Sequence, residues 1–266
     1  MFKALKTNKS RIKRQRKDKT WGIWYYLQEV GEVSIKYNIL MKKVAYVYNE
    51  AITNYHFSKE HPMKTKRIRM AHSLIQNYGM GPYLNMFQSK EATSDELNYF
   101  HDPGYVSYLE KWITPKKDDM PSLYKEEERR KARDDPKLKT KYKINQSFDC
   151  PGFDGLYNFC QLAAGGSLDA ADMIITGLSD VVVNWSGGYH HARKTEASGF
   201  CYVNDIVICI LELLKIYPRV LYLDIDVHHG DGVEEAFYNT NRVMTVSFHE
   251  FEEDFFPGTG ALTSTG

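Results

Sequence analysis

The sequence has few cysteines and no long apolar run, and each of these absences excludes a class of protein. Its 266 residues contain four cysteines, Cys150, Cys160, Cys201 and Cys209, with no C-x-x-C spacing. Sparse thiols are typical of a reduced intracellular protein rather than of a disulfide-stapled one. No stretch is apolar enough to span a membrane, and none resembles a secretory signal. We therefore expect no membrane partner.

The sequence also lacks an overall excess of positive or negative charge. The formal net charge is +1, so the chain as a whole is not a polyanion-binding protein, and no direct sequence-specific contact with nucleic acid is expected. Basic residues are concentrated locally between Lys3 and Lys19. Residues 1–40 are interpreted as a basic and aromatic extension that precedes a natural start at Met41. A nuclear-import or nucleic-acid patch, a disordered solubilising tail and a mis-called start remain alternatives.

Hydrophobic periodicity predicts one α/β domain. Apolar runs that read as strands alternate with helical patterns, and such alternation is typical of a parallel sheet covered by helices. The fold class expected is a three-layer α/β/α arrangement with a mainly parallel sheet. The predicted strands are 44–48, 181–185, 219–226 and 243–248, and the predicted helices are 66–78, 205–217 and 233–238, the second capped by Asn204 or Asp205.

The richest cluster of titratable groups follows the apolar run 220–223, which we predict to be a strand buried on both faces. Three carboxylates and two imidazoles lie between positions 224 and 231. Ligands bind beyond the carboxyl ends of the strands in open α/β sheets, and Asp and His are ordinary zinc ligands. A solvated loop is the alternative, but so many titratable groups are costly to gather unless they are paired or bind a metal. The cluster is therefore interpreted as a metal site.

A second cluster follows the apolar run 181–186. Gly187 and Gly188 permit a sharp turn, after which come His190 and His191. A histidine oriented by a carboxylate suits general acid–base catalysis. The sequence lacks a nucleophile elbow, a phosphate loop and a dinucleotide fingerprint, and Gly258–Gly260 is interpreted as a turn. Together the two clusters indicate metal-assisted hydrolysis.

Five segments resemble the class I histone deacetylases, namely residues 187–192, 196–205, 224–232, 244–249 and 255–260. The resemblance extends from about Met41 to the end of the chain. It implies zinc-dependent hydrolysis of acetyl-lysine on histone tails, with repression of transcription through a corepressor complex. The resemblance also implies a location in the nucleus, with the cytoplasm as a second location.

The resemblance also implies a role for particular residues. It places the zinc ligands at Asp226 and His228; ferrous iron would suit the same two donors. The catalytic residues implied are the proton acceptor His191 with its partner Asp231, and the transition-state-stabilising His190 with its partner Asp224. Substrate would be bound by the rim carboxylate of Asp149, the carbonyl of Gly199 and the aromatic walls Phe200 and Phe256. Structural potassium would be bound by Asp224, Asp226, His228, Ser247 and Phe248 at one site and by Phe237, Thr240 and Val243 at another.

The sequence departs from the family pattern in several places. The family's third zinc ligand and a catalytic tyrosine lie beyond the position of Gly266, so residues 41–266 are expected to be the front part of a C-terminally truncated deacetylase domain. A charged insertion is expected at about 115–143, either solvated or as a partner-docking element. Lys64 and Arg67 match positions near an inositol phosphate site and an inner pocket, whereas Glu60 would repel phosphate.

Two other functions remain in competition with a deacetylase. A catalytically incomplete scaffold would bind partners or acetyl-lysine without hydrolysis. A binuclear hydrolase of the arginase kind would need an acidic residue at position 230 to complete D-x-H-x-D, where this chain has Gly230.

Overall fold

The computed structural model describes residues 42–114, 123–252 and 254–265. The expected extension 1–40 and the first part of the charged insertion lie outside these residues. None of the helices in the described part of the chain is both long and apolar enough to cross a membrane.

Five parallel strands form two sheets in the described residues. The first sheet has the order β2–β1–β3, made of β1 (Val44–Tyr48), β2 (Asn85–Gln88) and β3 (Val181–Asn184). The second pairs β4 (Val220–Asp224) with β5 (Val243–Ser247), with Leu223 opposite Val246. Parallel pairing throughout confirms the predicted α/β class. The short strand β2 was not predicted from the sequence.

The prediction that the run 220–223 is buried on both faces is wrong for the described structure. Along β4 the side chains alternate, so that Leu221 is 63% exposed and Leu223 is 55% exposed. Val220 and Tyr222 point the other way and pack against the apolar cluster formed by α7 (Asp205–Leu213) and α8 (Asp231–Phe237). A continuous apolar run does not tell whether one or both faces of a strand are covered.

Helices supply most of the core. The longest, α6 (Leu156–Ile175), is buried along most of its length and packs on α7, β1 and β3. The predicted cap of α7 is confirmed, because the side chain of Asn204 accepts a hydrogen bond from the Val207 N–H. The remaining α-helices in the described residues are α1 (Lys66–Asn77), α2 (Ser94–Leu97), α3 (Pro103–Leu109), α4 (Leu123–Asp134) and α5 (Pro136–Tyr142), and short 3₁₀ helices cover Glu50–Asn54, Gly81–Tyr83 and Glu110–Trp112.

The charged segment is helical from position 123 onward. On α4, Glu126 pairs with Arg129 and Glu127 pairs with Lys131, which are the spacings expected within a helix. One face of the helix is not solvated, since the Arg133 guanidinium lies 5.5 Å from the centroid of the Trp112 ring. The segment is thus anchored to the core through α4.

Helix α6 passes the loop before α2 at a glycine. The backbones are joined there by the Ala92 N–H, which donates to the Gln161 carbonyl at 2.8 Å. A Cβ at Gly165 would lie 1.9 Å from the Lys90 carbonyl oxygen, whereas a Cβ at Gly166 would meet only the end of the Asn184 side chain, at 2.9 Å. Gly165 is therefore required by close backbone approach.

We predict that Gly165→Ala lowers the free energy of unfolding by about 2 kcal/mol, because backbone must move to accommodate the methyl group. This figure is net of the roughly 1 kcal/mol that alanine gains over glycine within a helix. Gly166→Ala is the matched control and should cost less, since a side chain can shift. Urea denaturation of the two variants measures the difference; a larger loss at position 166 would contradict this account.

Candidate active site

The loops that follow β3 and β4 meet at one cavity of about 500 Å³. This arrangement brings together the residues predicted separately from the two sequence clusters. The predicted residues that line it are Asp149, His190, His191, Gly199, Phe200, Asp226, His228 and Phe256. The other two predicted catalytic residues, Asp224 and Asp231, lie behind the histidines and are buried.

The loop after β3 is held by the buried carboxylate of Asp205. This carboxylate accepts hydrogen bonds from the Gly188 N–H at 3.0 Å, the Tyr189 N–H at 2.8 Å and the Ser167 hydroxyl at 2.6 Å. Burial raises the pKa of Asp205, and these hydrogen bonds oppose that rise. A Cβ at Gly187 would lie 2.2 Å from the same carboxylate, which explains the glycine. Sequence reasoning gave Asp205 only a capping role.

His190 forms a buried ion pair with Asp224. Its Nδ1 lies 2.6 Å from Asp224 Oδ2, which also accepts the Tyr222 hydroxyl at 2.5 Å. Burial raises the pKa of Asp224, but the hydrogen bonds from His190 and Tyr222 outweigh it and lower this pKa to about 2. Burial likewise lowers the pKa of His190, and the hydrogen bond and charge of Asp224 outweigh it, so that this pKa is raised. The pair therefore favours an imidazolium beside a carboxylate.

His191 favours the opposite protonation state. Its Nδ1 lies 2.7 Å from Asp231 Oδ1, while Asp231 Oδ2 accepts a hydrogen bond from Arg193 at 3.3 Å. Burial lowers the pKa of His191, and the hydrogen bond to Asp231 only partly offsets it. The Asp231 carboxylate can only accept a hydrogen bond, so Nδ1 of the neutral His191 ring carries the proton. The other ring nitrogen, Nε2, therefore keeps its lone pair. This is the state that a general base needs.

Asp226 and His228 offer two donors to a metal. Asp226 Oδ1 lies 2.9 Å from His228 Nδ1 and accepts the His228 N–H at 2.8 Å, and both side chains are partly exposed to the cavity. One carboxylate oxygen and one imidazole nitrogen fit the donor chemistry of zinc or ferrous iron. In the part of the chain that the structure describes, no three His, Cys, Asp or Glu side chains form a metal-binding group. The two donors therefore make a partial site.

Aromatic side chains enclose the approach to these groups. The Phe256 ring lies 4.9 Å from the His191 ring, and the Phe200 ring lies 4.6 Å from the His61 ring. A Cβ at Gly199 would lie 2.6 Å from His191 Cδ2, so only glycine leaves room at this point. Asp149 lines the same cavity. The geometry suits a slender aliphatic chain with a polar end.

The structure places the residues that were predicted for each potassium site close to one another. Asp224 and Ser247 are paired across β4 and β5, and the Phe248 N–H donates to the Asp224 carbonyl at 3.0 Å. Phe237, Thr240 and Val243 line a second cavity at the end of α8. These positions are therefore close enough within each set for a shared role.

Sequence reasoning missed two supporting residues, Tyr222 and Arg193, and gave a third, Asn204, only a capping role. Tyr222 and Arg193 hydrogen-bond the two buried aspartates, and the Asn204 side chain donates to the carbonyls of His190 at 3.2 Å and Ala192 at 3.0 Å. Tyr222 could have been found, because residues two apart on a strand share a face and Asp224 follows it by two. The contacts of Arg193 and Asn204 depend on tertiary structure and leave no local pattern.

Comparison with known proteins identifies the family. The profile of the histone deacetylase domain matches residues 61–266. The chain belongs to the histone deacetylase family. Over 225 residues, or 85% of this chain, it is 52% identical to histone deacetylase HDAC1 of Drosophila melanogaster, 50% identical to histone deacetylase RPD3 of Saccharomyces cerevisiae and 48% identical to histone deacetylase 1 of Homo sapiens. The predicted class I resemblance and fold class are confirmed.

The match covers this deacetylase-family chain more fully than it covers the relatives. It accounts for 40% of the Drosophila protein, 48% of the yeast protein and 43% of the human protein. The chain therefore spans less than half the length of each of these three relatives.

The ion pair of His190 and Asp224 predicts a pH dependence of stability. An aspartate whose pKa is about 2 in the folded protein and about 3.9 in the unfolded chain stabilises fully above the unfolded value, and this contribution is lost as the pH falls to 2. The difference in unfolding free energy between the parent and Asp224→Asn should shrink by about 2 kcal/mol between about pH 5 and pH 2. Urea titrations across this range measure the change.

Asp154→Asn is the control for this series, since the Asp154 side chain is 93% exposed and solvent screens its ion pair with Arg133, at 3.6 Å. The difference in unfolding free energy between Asp154→Asn and the parent should stay small at every pH. A constant difference for Asp224→Asn over the same range would show that the carboxylate is not paired as described.

Proposed function

We propose that this protein hydrolyses acetyl-lysine on histone tails in a zinc-dependent reaction, and so represses transcription. One observation carries the proposal: two buried His–Asp pairs with opposite preferred protonation, 2.6 and 2.7 Å between their closest atoms, lie beside the two donors Asp226 and His228. The names of the relatives, all histone deacetylases, support the same reaction and substrate.

The reaction needs a base, an electrostatic stabiliser and a later acid. Bound zinc would supply Lewis-acid polarisation of the acetyl carbonyl and of the attacking water. His191 Nε2 accepts the proton of that water, and Asp231 holds the ring through Nδ1. The imidazolium of His190 stabilises the negative charge that develops on the former carbonyl oxygen. Protonated His191 then donates its proton to the lysine nitrogen as the C–N bond breaks, and the remaining acid proton also passes to that amine, which gives acetate and the lysine ammonium.

Substrate binding uses the walls of the same cavity. Phe200 and Phe256 enclose the aliphatic lysine stem, and the carbonyl of Gly199 accepts the acetamide N–H. Asp149 accepts backbone amides of the substrate at the rim. These contacts recognise an acylated lysine side chain rather than a free, charged one, since an ammonium would be costly to bury there.

The proposed metal ligands are Asp226 and His228, with zinc as the metal and ferrous iron as the alternative. A catalytic zinc has three protein ligands, so we propose that a third donor comes from protein outside the described residues. The two potassium sets described above are proposed to bind structural potassium largely through oxygen atoms. Residues 41–266 would then be the front part of a deacetylase domain.

Partners and location follow from the proposed substrate. Acetylated histone tails imply a nuclear protein, also present in the cytoplasm, that works with corepressor subunits. Inositol phosphate binding finds less support, because the Lys64 ammonium donates to the Lys59 carbonyl at 2.7 Å and Glu60 lies nearby in sequence. Arg67 instead lines the active-site cavity.

A non-catalytic acetyl-lysine-binding scaffold is the second candidate, favoured because no group of three metal-binding side chains occurs among the described residues. An arginase-like binuclear site is disfavoured by geometry. A Cβ at Gly230 would lie 2.3 Å from Asp224 Oδ2, so this position has no room for a bridging acid.

The test is release of acetate from an acetylated histone-tail peptide in the presence of zinc. His191→Ala should lower the rate about 10²- to 10⁴-fold, because it removes the general base. His56→Ala is the matched control, since His56 is exposed and lies outside the cavity. Full activity of His191→Ala would refute the assignment of the base. A parent protein that binds the peptide without releasing acetate would favour the scaffold.

A further inference from the structure

Two histidines outside the proposed catalytic set contact the segment that carries one aromatic wall of the cavity. We call residues 255–260 the wall segment. It contains Phe255 and Phe256, whose rings lie 5.3 Å from the His228 ring and 4.9 Å from the His191 ring. We propose that His229 and His249 clamp the wall segment over the site and thereby set its affinity for the acetyl-lysine side chain. The proposal rests on the proposed function of the site.

His229 ties the wall segment to helix α8. It is only 2% exposed, with Nε2 lying 3.0 Å from Glu234 Oε2 and Nδ1 lying 2.8 Å from the Thr259 hydroxyl. A carboxylate only accepts, so Nε2 carries the ring proton and Nδ1 accepts from Thr259. Both nitrogens of this buried ring are thus satisfied, and one of the two partners belongs to the wall segment.

His249 ties the same segment to the end of β5. Its Nε2 donates to the Gly260 carbonyl at 2.9 Å, and its Nδ1 lies 2.9 Å from the Ser247 hydroxyl. The rings of His249 and His229 lie 4.5 Å apart, so the two ties are adjacent. The wall segment is therefore bound at two consecutive residues by two packed imidazoles.

The geometry of Gly260 shows how closely the clamp fits. This residue has a φ of +84°, and a Cβ there would lie 2.3 Å from His249 Nε2 and 2.7 Å from His229 Cγ. Any side chain would displace both rings. Residues 258–260, which we interpreted from the sequence as a turn, therefore also form the surface against which the two histidines pack.

The clamp acts on substrate through the phenylalanines. Phe256 remains 39% exposed beside the cavity, so packing alone holds it less firmly than a core residue. Loss of the clamp would let the wall segment sample other positions, and binding would then have to order it again. Affinity for the lysine stem would fall, whereas proton transfer by His191 would not be altered directly.

Thr259 offers a sharp test, because valine has nearly the same shape as threonine without the hydroxyl. Thr259 is largely exposed, so neither Thr259→Val nor the conservative control Thr259→Ser should prevent folding. We expect Thr259→Val to raise the Kd for an N-acetyl-lysine histone-tail peptide about tenfold, the effect of roughly one lost hydrogen bond to a buried group. Thr259→Ser should remain within about twofold of the parent, since it keeps the donor.

Hydrogen exchange of residues 255–260 supplies a readout that does not depend on binding or catalysis. The segment should exchange faster in Thr259→Val than in Thr259→Ser. Where turnover is measured, KM should rise with kcat nearly unchanged, whereas a lower folded fraction would reduce the apparent kcat at constant KM.

Equal exchange and equal Kd in the two variants would overturn the clamp, even in a protein that hydrolyses the peptide. Faster exchange with an unchanged Kd would overturn its role in affinity. A third outcome is faster exchange in Thr259→Val together with a parent protein that neither binds nor hydrolyses the acetyl-lysine peptide. This outcome would overturn the proposed function, and with it the role of the clamp in affinity.

Discussion

The site depends on two buried histidine–aspartate contacts that join loops from different sheets. Within the described residues no backbone ladder connects β3 to β4, so the loops that follow them are held in register by side chains. His190 and His191 come from the loop after β3, whereas Asp224 is the last residue of β4 and Asp231 is the first residue of α8. Because buried charges are costly unless they are paired, these contacts both assemble the cavity and determine where the rings lie.

The two pairs are alike in distance and differ in their surroundings. Asp224 has the neutral phenol of Tyr222 as its second partner, whereas Asp231 has the guanidinium of Arg193. Burial lowers the pKa of both rings, but at His190 the hydrogen bond and charge of Asp224, with the charges of Asp226 and Asp231, outweigh burial and raise the pKa. At His191 burial dominates and the charges of His190 and His228 lower the pKa further, so that the hydrogen bond to Asp231 offsets them only in part. One site can thus hold a cation and a base side by side.

The sequence predicted the elements that depend on local pattern. Strands such as β1 and the cap at Asn204 follow from periodicity and local pattern, and polar residues beyond the ends of parallel strands predicted the two clusters that meet at one cavity. Contacts made across the fold were not predictable. Asp205 looked like an ordinary helix start but holds the β3 loop, and the exposure of Leu221 depends on what covers the sheet. His229 and His249 belong to the same class, since their partners lie 30 and 11 residues away.

The opposite protonation of the two adjacent histidines is the central claim, and ring ¹⁵N chemical shifts of the metal-free protein test it most directly. At about pH 6.5, the ordinary histidine pKa, the account predicts that His190 is mainly cationic, with both ring nitrogens protonated. His191 should be mainly neutral, with its proton on Nδ1. Single Asp224→Asn and Asp231→Asn variants assign the two signals. A cationic His191, or two rings that titrate together at the same pH, would contradict the account.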